Sequence, residues 1–61
     1  MQLSELKTYA EKLSKAFPQV DDVIRDLYFL AVDEVESGES ETHECDLAIS
    51  AMDQLTGVDE Y

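Results

Sequence analysis

Between the chain's single proline, Pro18, and its first glycine, Gly38, lies its longest amphipathic run, residues 20–36, VDDVIRDLYFLAVDEVE. This run constrains the fold more than any other stretch. At about 100° per residue, Val20, Val23, Ile24, Leu27, Leu30, Ala31 and Val35 fall on one broad stripe. The period predicts a helix that must be covered along that stripe. Phe29 projects to the opposite side, among Asp22, Arg25, Asp26, Asp33 and Glu36.

The flanking segments supply the cover. Leu3, Leu6, Tyr9, Ala10, Leu13, Ala16 and Phe17 recur at three- and four-residue spacing, which predicts a first helix over about 3–17 with its lysines on the far side. Glu11 and Lys15 are spaced for an i,i+4 ion pair on that helix. Pro18 forces the residue before it out of helical geometry and suits the first turn of the next helix, so helix 2 is expected over about 19–36. Asp21 and Asp22 complement the positive end of its dipole. Gly38 can adopt the left-handed conformation that closes a helix, and Ser40 or Thr42 can cap the next one. Helix 3 is expected over about 41–56, stopped by Gly57. Its stripe of Cys45, Ala48, Ile49, Met52 and Leu55 is widened by Leu47, Ala51 and Val58 to roughly half the circumference. Helix 3 is therefore expected to be wrapped on two sides, between helices 1 and 2 or against a second chain. The fold class that follows is all-α: one domain over residues 1–58, a small antiparallel three-helix bundle with the homodimer as a further state. Residues 59–61 read as a frayed acidic tail.

A chain of 61 residues buries only about 60% of its unfolded surface, so its stability is marginal. The one cysteine, Cys45, offers no intrachain disulfide. No apolar run approaches the ~18 residues of a membrane span and none resembles a secretion signal, so the expectation is a cytoplasmic protein. Fifteen acids against four bases give a net charge of -11, unevenly placed. Up to Phe17, Lys7, Lys12 and Lys15 stand against Glu5 and Glu11; from Pro18 on, Arg25 stands against thirteen acids. Such a field disfavours nucleic acid and anionic membrane as direct partners and favours a basic protein surface.

Four kinds of chemistry can be weighed against these residues. Residues 33–44 match the calcium-binding EF-hand loop at Asp33, Ser37, Gly38, Glu41 and Glu44, but Val35 stands where an oxygen ligand is needed and Ser40 where an apolar residue belongs. His43 and Cys45 are two apart and so project differently from a helix; His43 falls near Asp46 and Ser50, Cys45 on the apolar stripe. A structural zinc site wants four such ligands. Carboxylate catalysis needs a shaped pocket that three short helices have little room to build. No catalytic residue, cofactor or metal ligand is assigned on these grounds. The fourth is the acidic array: Asp33, Glu34, Glu36, Glu39, Glu41, Glu44 and Asp46 place seven acids in fourteen residues with no lysine or arginine among them. Such an array presents charge to Lys and Arg much as a phosphate backbone does.

Size, acidity and helical pattern together resemble the small proteins of phages and mobile elements that bind host enzymes, a resemblance of type rather than of motif. It implies a non-catalytic interaction protein that inhibits or modulates a nucleic-acid-associated host protein. The expected partner-binding residues are Asp22, Asp26, Phe29, Asp33, Glu36, Glu39 and Glu41. The alternative expectation is a structural homodimeric module, in which helix 3 and Phe29 bury against a second copy.

Overall fold

The computed structural model describes residues 1–57, among which it forms three α-helices and one short 3-10 turn. Val58 and the expected tail at residues 59–61 lie outside the described residues. Helix α1 spans Leu3–Ala16, α2 spans Asp21–Glu36 and α3 spans Glu41–Thr56. The radius of gyration, 10.8 Å, is close to the ~10.5 Å of a compact chain this long.

The helix ends follow local chemistry. The Gln2 N–H donates to Glu5 Oε1 at 3.2 Å, satisfying one donor just ahead of α1. Phe17, held at φ -130° and ψ 66° before Pro18, ends α1 one residue earlier than the apolar period suggests. Pro18 does not open α2 directly. Pro18–Val20 forms a 3-10 turn, and Val20, at ψ 18°, delays the α-helix to Asp21. At the other end of α2 the Glu39 N–H reaches the Glu34 carbonyl at 3.0 Å and the Gly38 N–H reaches the Val35 carbonyl at 3.1 Å. This Schellman closure requires a left-handed residue, supplied by Gly38 at φ 109°. Ser40 caps α3, its Oγ accepting from the His43 N–H at 3.4 Å.

All side chains buried among the described residues are apolar: Leu6, Ala10 and Leu13 of α1, Ile24 and Ala31 of α2, and Cys45, Ala48 and Met52 of α3. Each helix contributes one buried alanine, and small residues at a contact let helix axes approach. Leu3, Tyr9, Phe17, Val20, Leu27, Tyr28 and Ile49 pack around this centre. Helix α2 packs against both α1 and α3 more extensively than these two pack against each other. Two polar bridges join α1 to α3. The Leu3 N–H donates to Glu41 Oε2 at 2.7 Å, and the Tyr9 hydroxyl donates to Asp53 Oδ1. The first gives an otherwise unpaired donor at the start of α1 a charged acceptor.

The stripe expected on α2 is corrected in rotation. Val23 and Leu30 are exposed, and Tyr28 is half-buried in their place. The reason is that α2 packs against both α1 and α3, and its buried side is centred on Ile24 and Ala31. Val23 and Leu30 lie ~100° and ~120° away from Ile24 around the helix. In α1, Ala16 is likewise exposed, and the Glu11–Lys15 pair is not formed; among the described residues the ion pair within 4 Å is Arg25–Asp21.

Candidate functional site

The outward surface of α2 carries a ridge of charge. Asp22, Asp26 and Asp33 lie within ~20° of the direction opposite Ile24, and all three are exposed. At 1.5 Å per residue they are spaced by about 6 and 10.5 Å along the axis. Two large apolar side chains flank this line. Phe29, on the α1 side, is 54% exposed, and Leu30, on the α3 side, is 58% exposed. The Phe29 ring meets Tyr28 edge to face, with centroids 5.5 Å apart. Tyr28 is half-buried, so one aromatic roots the other in the fold.

The surroundings of Phe29 are not uniformly acidic. Its α1 side borders an open groove of about 370 Å³, shared with Tyr28, Lys7, Lys15, Arg25 and Asp21. Arg25 is paired with Asp21 at 3.1 Å, an exposed contact worth tenths of a kcal/mol. The remaining expected partner-binding residues divide. Glu36 is exposed at the end of α2 and Glu39 in the connection to α3. Glu41 is engaged inside the molecule by the Leu3 N–H, and so stands apart from the ridge.

A second groove, of about 300 Å³, opens between α2 and α3. Its sides are Leu30 and Leu47, the latter 52% exposed, with Leu27 and Ala51 between them. Sequence reasoning placed Leu30 in the core. The signal for this groove was the unusual width of the α3 stripe, which Leu47 and Ala51 create.

The other candidate chemistries meet specific geometry. The span 33–44 is no open twelve-residue loop, because α2 continues through Glu36 and α3 starts at Glu41. His43 is exposed while Cys45 is fully buried, so the two share no face. Burial pushes the Cys45 thiol above its ordinary range, and the negative charge of Glu41 adds to this. That holds Cys45 in the neutral thiol form rather than the nucleophilic thiolate. Among the described residues there is no group of three or more His, Cys, Asp or Glu able to hold a metal ion, and no helix is long and apolar enough to cross a membrane. Comparison with protein-family models, curated proteins and solved structures found no match to this chain.

Proposed function

We propose that this chain is an acidic, non-catalytic interaction module that binds a basic protein surface through the outer face of α2. One observation carries the reading: Phe29 and Leu30 stand exposed on either side of the Asp22, Asp26 and Asp33 line. Apolar side chains beside a line of charge combine a water-excluding contact with a field that orients the partner. The carboxylates attract and orient a Lys- or Arg-rich surface, and the apolar groups supply the contact that slows release. Glu36 and Glu39 extend the field toward the connection. A partner that uses its basic surface to hold nucleic acid would lose that surface to the ridge, which is inhibition by charge mimicry.

The helices are read as running up-down-up. The two α1–α3 bridges support this, since Leu3 to Glu41 and Tyr9 to Asp53 advance in the same sense along both helices. A cytosolic setting accords with a free, buried thiol at Cys45. Self-association is a second reading, favoured by the exposure of Leu30 and Leu47.

The test is parallel capture from native lysate with the wild type and Phe29→Ala. A basic protein retained by the wild type, released by salt and held more weakly by Phe29→Ala by about 2 kcal/mol supports the reading. Capture indifferent to salt and to Phe29→Ala refutes it.

A further inference from the structure

The groove between α2 and α3 has an organisation of its own. On α2, Val23, Leu27, Leu30 and Glu34 follow one another at steps of four, three and four residues. On α3, Glu44, Ala48, Ala51 and Leu55 repeat the same steps. Residues so spaced share one side of a helix. Both rows are apolar along their length and end in a glutamate, and Glu34 and Glu44 line the groove together. They stand on either side of the short connection between α2 and α3, so the groove is apolar along its course and acidic at the connection end. Four of the large apolar side chains left exposed by the fold, Val23, Leu30, Leu47 and Leu55, belong to these two helices on this side.

We propose that this groove receives an amphipathic helix of a partner protein, with apolar side chains at i, i+3 or i+4 and i+7 and a Lys or Arg over Glu34 and Glu44. The inference rests on the reading of the chain as a binder of basic proteins and narrows the partner to one recognition mode. Two packed helices with an open apolar seam accept a further helix as a bundle does. Charge selects the occupant. The cations of this chain lie elsewhere: Lys7, Lys15 and Arg25 line the opposite groove, and Lys12 faces outward on α1. A second copy docked symmetrically through this same groove therefore brings no cation to Glu34 and Glu44, and any second copy adds a further net charge of -11. A basic amphipathic helix supplies both what fills the seam and what neutralises its end.

The probe is a synthetic amphipathic peptide of about 16 residues, matching α2 in length, with one leucine stripe and flanking lysines. Its control is an isomer of the same composition with the stripe scrambled. Fluorescence anisotropy is expected to show saturable binding of the striped peptide, at least tenfold tighter than the isomer. Leu47→Asp, or Leu47→Ser should the first variant fold poorly, is expected to weaken binding at least tenfold while the helix content at the assay temperature stays that of the wild type. Glu34→Gln combined with Glu44→Gln is expected to weaken it severalfold and flatten its salt dependence. Thr8→Ala, on the exposed outer side of α1, is expected to leave it unchanged. Equal binding of the two peptides, no saturable binding, or indifference to the Leu47 variants overturns the proposal. So does a wild-type dimer in sedimentation equilibrium that Leu47→Asp dissolves, which would give the groove to a second copy. If a captured basic protein is sensitive to Phe29→Ala but not to Leu47→Asp, the groove inference fails while the ridge reading stands; insensitivity to both ends both.

Discussion

Replacing Ile24 and Leu30 by alanine, one at a time, tests the rotation of α2 on which both exposed surfaces depend. Ile24 is fully buried at the centre of the helix's inner face, between α1 and α3. Truncation there removes buried methyl and methylene groups and leaves a cavity, at a cost of about 2–5 kcal/mol. A domain of this size has roughly 3–9 kcal/mol of total stability. Ile24→Ala is therefore expected to remove a large fraction of it. Leu30, at 58% exposure, keeps less than half of the ~1.5–3 kcal/mol that full burial provides. Alanine's better helix propensity returns a few tenths. Leu30→Ala is thus expected to cost less than about 1 kcal/mol. In thermal melts followed by far-ultraviolet circular dichroism, each kcal/mol corresponds to about 4–8 °C in a domain of 60–100 residues. The two variants are expected to separate clearly on that scale. Equal losses would refute the reasoning, because α2 would then face the core by the full stripe its sequence presents.

Three further outcomes follow from particular contacts. Leu27 is packed against the core but only partly buried, so Leu27→Ala is expected at the low end of the core range, about 2 kcal/mol by urea unfolding. Gly38→Ala places a Cβ at φ 109°, where the surrounding space is empty but the backbone is strained; a loss of about 1–2 kcal/mol is expected in the same assay, against little change for Ser37→Ala. Because burial raises the Cys45 pKa in the folded state, its contribution is fully present below the ordinary thiol pKa and is lost as pH rises above it. Stability measured between about pH 8 and 10 is expected to fall with a slope that Cys45→Ala reduces, and native Cys45 is expected to react with thiol reagents much more slowly than the urea-unfolded chain.

Much of the fold was legible because helix ends are written locally. Pro18, Gly38, Ser40 and Gly57 each act through their own backbone or side chain, and the helices stop or start beside them. The buried residues of α1 and α3 follow the apolar period for the same reason. The rotation of α2 was not legible, because an isolated helical period finds the most apolar side, whereas two flanking helices choose the side between them. Tyr28 replaced Val23 and Leu30 on that account. The link from Leu3 to Glu41 joins residues 38 apart, and no periodicity announces it. It ties Glu41 to the start of α1, apart from the outward surface that Asp22, Asp26, Phe29 and Asp33 share as residues of a single helix. The groove between α2 and α3 was announced only indirectly, by a stripe on α3 too wide for two neighbours to cover.

The most direct measurement is an amide-resolved nuclear magnetic resonance titration of the isotopically labelled chain with the basic protein it captures. Saturable changes at Asp22, Asp26, Phe29, Leu30 and Asp33, with the outward side of α1 around Thr8 and Lys12 unaffected, are the expected result. Changes confined to that side of α1, or spread over the whole chain without saturation, would contradict a binding surface on the outer face of α2.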